Sequence, residues 1–354
     1  MNNFSDNVLE WFKSHGRRDL PWQKNPTPYR VWVSEIMLQQ TQVATVIPYY
    51  QRFMKKFPSI AELAKADIDQ VLHLWTGLGY YARARNLHKA AQTVVEKFSS
   101  EFPKSVEALE SLPGIGRSTA GAIVALSMNI QAPILDGNVK RVLARFHTIE
   151  GWPEQTKVKN ALWQIAEQYT PSKDVAEYTQ AIMDLGATVC KRANPSCDRC
   201  PLYSNCLAFT TNSIKKYPGK KPKKKLPVKS VVMYIFQNES GEVYLEKRPP
   251  NGIWGSLYSF PEQALEADTT LAHESIENIP QHILPLKSGK SLQPLRHTFS
   301  HYHLDINPRM VAVKQNGVEI AETDHWLWYP LDHSVEVGLA APVKKLLSKL
   351  AVPL

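Results

Sequence analysis

The four cysteines of the chain, its only ones, lie together in one short segment. Cys190, Cys197, Cys200 and Cys206 have the spacing C-x₆-C-x₂-C-x₅-C. Four thiolates in one loop can surround a soft metal centre, and this spacing favours a metal cluster. A zinc site is an alternative, although zinc ribbons usually pair two tight knuckles and only Cys197 and Cys200 form one here. Two disulfides are a third interpretation, which a reducing compartment would disfavour.

A second group that could take part in catalysis is the pair of carboxylates Glu35 and Asp136. Glu35 lies among apolar residues of a predicted helix, and Asp136 directly precedes another helix. In isolation the first is an ordinary helix residue and the second an ordinary helix N-cap. A carboxyl group beside a dry pocket, however, has a raised pKa and can donate a proton at neutral pH. The two acids are therefore candidates for acid–base and electrostatic roles.

A glycine hairpin lies between two predicted helices and resembles a phosphate site. Gly114 and Gly116 belong to the segment LPGIGRSTAG, which precedes a helix. Glycines allow close approach of a phosphate, and a helix start offers unpaired N–H groups to an anion. The preceding segment is also helical, so the unit is helix, hairpin, helix.

Composition and length limit the class of protein that can carry these groups. The chain has 354 residues, a hydrophobic fraction of 43%, a charged fraction of 21% and a formal net charge of +9. These values are typical of a globular protein of two domains with a polyanionic partner. The sequence shows neither a signal-peptide pattern nor a long apolar span, so we expect a cytoplasmic protein, monomeric and without a membrane partner.

The periodicity of apolar residues changes along the chain and predicts three parts. Residues 1–209 show the spacing of successive amphipathic helices. Residues 210–228 are rich in Lys and Pro and predict a linker, either a solvated hinge or a segment that contacts phosphates. Residues 229–354 alternate as strands do and end in a helix, which indicates a separate α+β domain.

Several of these motifs resemble one superfamily. The cysteine spacing is similar to the [4Fe–4S] loop of the endonuclease III superfamily of DNA glycosylases, and the glycine hairpin resembles its helix-hairpin-helix motif. The segment SEIMLQQTQV, from Ser34, closely resembles the MutY-type adenine DNA glycosylase family. The resemblance implies an all-α helix-hairpin-helix core with an iron–sulfur loop. It also implies base excision repair of double-stranded DNA, with removal of adenine opposite 8-oxoguanine or guanine.

The resemblance assigns catalytic roles to matching residues. It implies that Glu35 is the general acid–base, that Asp136 faces the cationic sugar, and that Asn138 orients these carboxylates. Bifunctional members of the superfamily carry a hairpin lysine where this chain has Ser118. An alcohol cannot form a Schiff base, so base removal alone is expected. Two alternatives remain: a bifunctional glycosylase/lyase acting on oxidised pyrimidines, and a non-catalytic iron–sulfur protein that binds DNA.

The family also implies residues that engage DNA, because a stacked base must be flipped out before it can react. The segment GLGYY carries Leu78 and Tyr80, and the family places the first tyrosine beside the orphaned partner base. Gln40 and Thr41 match positions that contact the opposite strand. Arg83 and Arg85 follow this segment. They could contact phosphates, or they could simply lie on a solvent-exposed face of a helix.

The C-terminal part resembles the MutT-like (Nudix) fold in its strand pattern and in the stretch NGIWGSLYSFPE. Its residues 263–279 lack the Glu-rich helix that binds magnesium in active Nudix hydrolases, so a binding role is expected. The segment Phe299, Ser300, His301 matches the loop with which the family recognises 8-oxoguanine. Small polar groups suit that recognition, because undamaged guanine would leave them without partners.

Overall fold

The computed structural model describes residues 3–222, 225–265, 276, 279–280, 282–286, 289–315 and 325–351. They form two compact units that do not simply follow the order of the chain. Unit 1 comprises Met1–Lys65 and Asn86–Lys223, and unit 2 comprises Ala66–Arg85 and Lys224–Leu354. The segment Ala66–Arg85 therefore packs with the C-terminal part of the chain, although its neighbours in sequence belong to unit 1.

Helices fill the part of the chain before the cysteine loop, as the apolar spacing predicts. They are α1 Asn3–His15, α2 Pro28–Leu38, α3 Val43–Lys56, α4 Ile60–Lys65, α5 Ile68–Trp75, α6 Ala82–Phe98, α7 Val106–Glu110, α8 Arg117–Met128, α9 Gly137–Phe146, α10 Thr156–Tyr169, α11 Val175–Asp184 and α12 Leu207–Thr210. A π-helical turn continues α11, and two short 3₁₀ turns form part of the cysteine loop.

Local sequence signals set the starts of the two helices that matter most for the site. The Thr27 side chain accepts a hydrogen bond from the Arg30 N–H, and Pro28 occupies the first turn of α2. These are favoured N-terminal residues, because they satisfy or remove backbone donors that a helix leaves unpaired. Asp136 caps α9 in the same way. Polar side chains thus fix where both helices begin.

The core of unit 1 holds these helices in place. Buried side chains of α1, α9, α10 and α11 form one apolar cluster, which includes Phe4, Val142, Leu162 and Ile182. Helix α2 packs against α8 and brings fully buried Trp32 into the interior. Interiors packed in this way resist deformation, so side chains on these helices have defined positions.

Unit 2 contains a mixed β-sheet and a terminal helix. Its strands are β1 Val228–Gln237, β2 Val243–Lys247, β3 Tyr258–Ser259, β4 Glu262–Leu265, β5 Ile283–Pro285, β6 Lys290–Ser291, β7 Leu295–Thr298, β8 His303–Gln315 and β9 Trp326–Tyr329, and α13 spans Ala341–Leu350. β1 runs antiparallel to β2 and parallel to β8. The segments HYHLDI and RMVAVK lie largely in one continuous strand, β8, which pairs with β1 over residues 303–312.

The first part of the predicted linker is not free in solvent. The Arg145 guanidinium donates to the Tyr217 carbonyl at 3.0 Å. Gly219 lies so close to the backbone of Gly151 that a Cβ atom would meet its carbonyl oxygen. Residues 217–222 therefore lie along unit 1, although their composition suggests a hinge. The rest of the Lys-rich segment includes residues 223 and 224, which fall outside the described part of the chain.

Two further predictions concern a membrane-spanning helix and the Glu-rich helix of Nudix hydrolases, neither of which is expected from the sequence. No helix in the described residues is long and apolar enough to cross a membrane. The stretch 263–279, which lacks the Glu-rich pattern of a Nudix hydrolase, lies mostly outside the described residues.

Candidate active site

Unit 1 contains a cavity of about 800 Å³ that gathers six of the residues singled out in its sequence. Its walls come from α2, from the loop after it, and from α8, α9 and α11. Predicted site residues that line it are Glu35, Gln40, Thr41, Ser118, Asp136 and Asn138. These residues are far apart in sequence, so the fold has brought them together. The volume lies in the range of small-molecule sites, which run from about 300 to 1,000 Å³.

Glu35 occupies a largely apolar stretch of α2. Its neighbours Val33, Ile36 and Met37 are buried, and its own side chain is half-buried where the helix faces the cavity. Burial, followed by repulsion from Asp136, raises the pKa of Glu35 to about 8. A carboxyl group with such a pKa is protonated in a substantial fraction of molecules at neutral pH. It can therefore act as an acid.

Asp136 also carries a carboxyl group, but its surroundings differ from those of Glu35. Its side chain accepts hydrogen bonds from the N–H groups of Asn138 and Val139 at 3.0 and 2.8 Å. The Asn138 side-chain amide donates to its second oxygen at 2.9 Å. Burial raises the pKa of Asp136 above its ordinary value, although these three bonds and the nearby Arg141 act in the opposite direction. The hydrogen bonds favour the charged carboxylate, and the positive end of α9 acts in the same direction.

Arg141 is a site residue that the sequence did not reveal. Its guanidinium donates to the Asn138 side-chain oxygen at 2.8 Å and to the Gly186 carbonyl at 2.7 Å. The same group donates to the Cys190 carbonyl at 2.7 Å. It therefore fixes the Asn138 amide and joins the carboxylate to the cysteine loop. The only available signal was the three-residue spacing of Arg141 and Asn138, which places both on one side of α9.

A buried ion pair on the other side of the cavity was also missed. Asp184 is 0% exposed and accepts hydrogen bonds from the backbone N–H and guanidinium of Arg17. The Gln180 amide donates to the same carboxylate at 2.8 Å. Arg17 and Gln180 both line the cavity, so Asp184 orients them from behind. The pair joins residues separated by 167 positions, and no local pattern could have indicated it.

The glycine hairpin connects α7 to α8, as predicted. Gly114 has a φ of +78°, and a Cβ atom there would lie 2.7 Å from the Cβ of Asn86. Gly116 is the N-cap of α8, and a Cβ atom there would meet no protein atom within 4 Å. Gly114 is thus required by the backbone, whereas Gly116 leaves space in front of the helix start. Ser118 accepts a hydrogen bond from the Leu135 N–H at 2.9 Å, next to Asp136.

The four cysteines line one small apolar cavity, together with Val142, Phe146 and other apolar side chains. All four are free thiols, which is contrary to the disulfide interpretation. No group of three or more His, Cys, Asp or Glu side chains within the described residues forms a metal-ion site as it stands. The donor set nevertheless fits a thiolate-bound cluster. Arg145 donates to the Cys190 sulfur at 3.3 Å, and backbone N–H groups face Cys200 and Cys206, lowering their pKa against the effect of burial.

In unit 2, the loop from Thr76 to Tyr81, here called the tyrosine loop, carries two predicted DNA contacts. The Tyr80 side chain is 52% exposed, at a φ of +52°. Leu78 is only 6% exposed. Arg83 donates to the Gly79 carbonyl, and Arg85 donates to the Gly255 carbonyl. Tyr80 is thus available to a partner, whereas Leu78 and both arginines contact protein.

The remaining predicted residues form the turn between β7 and β8. The Phe299 N–H donates to the Tyr302 carbonyl at 2.9 Å and closes this turn. The Phe299 ring packs near Trp254, with 5.2 Å between ring centroids. Ser300 and His301 are exposed at the tip of the turn. An aromatic anchor therefore supports two polar side chains that face outward.

Comparison with known proteins defines the class to which this fold and site belong. Residues 33–168 match the model of the HhH-GPD superfamily of base excision DNA repair proteins, and residues 231–349 match the NUDIX domain model. A thermostable thymine-DNA glycosylase has a similar fold, with a TM-score of 0.53 and 25% identity over 59% of this chain and 95% of its own. An endonuclease III–DNA complex matches with a TM-score of 0.50 and 20% identity, over 59% and 94% of the two chains.

The relatives narrow this class to one family. The adenine DNA glycosylase of Buchnera aphidicola subsp. Acyrthosiphon pisum is 40% identical over 97% of this chain and 96% of its own. That of Rattus norvegicus is 34% identical over 88% of this chain and 70% of its own. The chain belongs to the adenine DNA glycosylase family. The predicted family, fold class and enzymatic nature are thereby confirmed.

Proposed function

We propose that this enzyme hydrolyses the N-glycosidic bond of adenine paired with 8-oxoguanine or guanine in double-stranded DNA, and leaves the strand intact. The observation that carries the proposal is the cavity lined by Glu35 and Asp136: burial raises the pKa of both carboxyl groups, and Asp136 is in addition held by hydrogen-bond donors that favour its charged form. The net charge of +9 suits a polyanionic partner. The family relationship supplies adenine as the base.

Departure of the base requires a proton. Adenine is a poor leaving group as an anion, and protonation of a ring nitrogen corrects this. Glu35 is the acid in this step, because its pKa of about 8 keeps it protonated near neutral pH. Once it has lost the proton, the same carboxylate can activate the water that attacks the sugar.

Departure also leaves positive charge on the sugar. Asp136 stabilises this oxocarbenium ion, either electrostatically or through a transient covalent bond, as in retaining glycosidases. Its bonds from two backbone N–H groups and from Asn138 hold it in place during the reaction. Two carboxyl groups in opposite protonation states thus serve the two ends of the breaking bond.

The enzyme removes the base without cutting the strand. Strand cleavage by this superfamily uses an amine nucleophile, and Ser118 has only a hydroxyl group. That hydroxyl accepts a hydrogen bond from the Leu135 N–H, so it supports the segment that leads to Asp136.

Residues of both units engage the duplex. Gly114 and Gly116 place the start of α8 against a phosphate. Tyr80 inserts beside the orphaned partner base, and Gln40 and Thr41 contact the opposite strand. Ser300 and His301 recognise 8-oxoguanine, a role for which their exposure at the β7–β8 turn is suitable. Leu78 has no such role in this proposal, because it is buried.

The cysteine loop holds a [4Fe–4S] cluster through Cys190, Cys197, Cys200 and Cys206. Four thiols around one apolar cavity, with N–H donors facing their sulfurs, fit such a group. The cluster, when bound, organises the loop for DNA engagement and supplies no step of base removal. Iron and sulfide analysis with a broad visible absorbance distinguishes it from zinc. We expect the enzyme to act as a monomer in the cytoplasmic compartment.

Duplexes that differ at one base pair test the proposal. Purified enzyme is incubated with A:8-oxoguanine, A:G, A:T and C:8-oxoguanine duplexes, with and without subsequent alkali. We expect breaks only after alkali, and only in the adenine strand of the first two. Breaks without alkali, or an adduct trapped by borohydride, would support the bifunctional lyase instead.

Lesion recognition has its own test. Replacing Ser300 and His301 by alanine removes the polar groups of the turn and leaves the Phe299 anchor. The preference for A:8-oxoguanine over A:G should then fall. An equal loss on both substrates would contradict the proposed role of this turn.

A further inference from the structure

The tyrosine loop is tied to the C-terminal part of unit 2 at several points, while its tip remains exposed. We propose that Tyr81 is a positioning residue. It holds the loop so that Tyr80 is presented for insertion, and it does so through the backbone of Leu339. The C-terminal part of the chain would then act in opening the duplex as well as in recognising the lesion. This inference rests on the proposed function, because it assumes that Tyr80 inserts into DNA.

The Tyr81 hydroxyl joins both ends of the loop to the C-terminal segment. It donates to the Leu339 carbonyl at 3.0 Å and accepts from the Gly77 N–H at 3.3 Å. Tyr81 is 7% exposed, so its ring is packed and its hydroxyl is used inside the protein. The hydroxyl therefore fixes the loop on the side opposite the exposed Tyr80 ring.

Leu339 is held by the loop from a second direction. Its N–H donates to the Thr76 hydroxyl at 3.3 Å, and Thr76 in turn donates to the Leu72 carbonyl at 2.9 Å. Gly338, its neighbour, lies so close to Leu72 that a Cβ atom would be 2.6 Å from the Leu72 Cβ. Backbone atoms of one short segment thus meet both the first and the last residue of the tyrosine loop.

Contacts on either side of the loop restrict it further. Arg85 donates to the Gly255 carbonyl at 2.8 Å, and Lys247 pairs with Asp69 at 2.8 Å. The Gly79 carbonyl, which lies in the loop, accepts hydrogen bonds from the side chains of Trp75 and Arg83 on either side of the loop, both at 3.1 Å. The residue that follows Gly79 is Tyr80. A rigid base therefore carries an exposed aromatic side chain.

Such rigidity has a physical advantage for insertion. Separating stacked bases is costly, and an element that must also be ordered on binding adds its own entropic cost. A loop that is ordered beforehand avoids the second cost. Because the anchor consists of backbone groups near the C-terminus, the same part of the chain that carries the recognition turn also supports the inserted residue.

A double-mutant cycle tests the inference. Tyr81→Phe keeps the packed ring and removes the hydroxyl, and it is made alone and together with Tyr80→Ala. Single-turnover excision is measured on an A:8-oxoguanine duplex, with 2-aminopurine next to the mispair as a fluorescent reporter of unstacking. Tyr234→Phe is the matched control, because it removes a hydroxyl that bonds Gln263 elsewhere in unit 2.

We expect Tyr81→Phe to slow unstacking and excision by about threefold to tenfold, the scale of losing the two hydrogen bonds of the hydroxyl, one of them long. It should have less than about a twofold effect once Tyr80 is alanine, because the loop then presents nothing. Equal effects of Tyr81→Phe in both backgrounds would overturn the inference, and so would an effect no larger than that of Tyr234→Phe. Absence of adenine excision by the wild-type enzyme would instead refute the proposed function itself.

Discussion

The two regions that supply the carboxyl groups of the cavity differ sharply. Glu35 lies within α2 among apolar side chains, where burial and the neighbouring Asp136 raise its pKa. Asp136 lies at the start of α9, where two N–H groups and an asparagine amide surround its oxygens. Burial raises the pKa of both carboxyl groups, but only Asp136 also has hydrogen bonds that oppose this shift.

The difference shows how the fold, rather than the residue type, assigns chemical roles. A helix interior has already used its N–H groups, so a carboxyl group there receives little help in carrying charge. A helix start has unpaired N–H groups and a positive dipole end, so it supports a carboxylate. If the two carboxyl groups exchanged places, the one at the helix start would act as the carboxylate and the one within the helix would act as the acid.

The largest effect is expected for Asp136→Asn, which removes the charge that faces the sugar. Single-turnover excision of adenine should fall by about 10³-fold, the scale of a lost electrostatic group in a dry site. Duplex affinity, measured by fluorescence anisotropy, should change little. Loss of affinity in parallel with the rate would show that Asp136 acts mainly in the structure.

Glu35→Gln should lower excision by about 10²-fold, because an amide cannot provide the proton. The wild-type single-turnover rate should also decline as pH rises above about 8, where Glu35 becomes ionised. A rate that stays constant from pH 7 to pH 9.5 would contradict the assignment of Glu35 as the acid.

Arg141→Gln should reduce excision by about tenfold, since losing a residue that orients a ligand of the reacting group carries effects of that order. The guanidinium that fixes the Asn138 amide would be gone, while Asp136 would keep its backbone bonds. Lys140→Gln, on the same helix, is a suitable control because the Lys140 ammonium pairs with the half-exposed Glu154 carboxylate at 2.6 Å. Full activity in Arg141→Gln would mean that backbone donors alone position the carboxylate.

The last prediction concerns stability rather than rate. Glu35 has an ordinary pKa of 4.5 and a folded-state pKa of about 8, so between these values the unfolded chain releases a proton that the folded enzyme retains. Wild-type stability from this group is therefore present at low pH and lost as pH rises through the window. The Tm of Glu35→Gln relative to wild type should increase from pH 5 to pH 8. An unchanged difference would mean that Glu35 is not shifted.

Much of this organisation is predictable from sequence, because it depends on local signals. The apolar spacing of the helices, the glycine hairpin before α8 and the aspartate before α9 each follow from a few neighbouring residues. The turn at Phe299 is equally local. The family resemblance then indicates which of these features meet at one site, and the fold class it implies is confirmed.

The features that sequence did not reveal depend on distant partners. Arg141 gains its importance only because the Cys190 carbonyl and Gly186 lie beside α9. The linker composition suggests a solvated hinge, but Arg145 binds the Tyr217 carbonyl and Gly219 packs against the Gly151 backbone, so this part of the linker is attached to unit 1. Leu78 shares a glycine-flanked loop with Tyr80, yet its side chain is buried. The periodicity of apolar residues does not indicate which side chains of a loop are buried and which are exposed.

The backbone of Tyr80 has a further consequence for evolution and engineering. Its φ of +52° lies in the left-handed region, where a side chain other than glycine, asparagine or aspartate costs roughly 1–2 kcal/mol. Asparagine at this position would relieve that strain and raise the melting temperature of the enzyme. It would also lose the aromatic ring. If Tyr80 inserts into DNA as proposed, selection for thermal robustness and selection for repair would act against each other at this one residue.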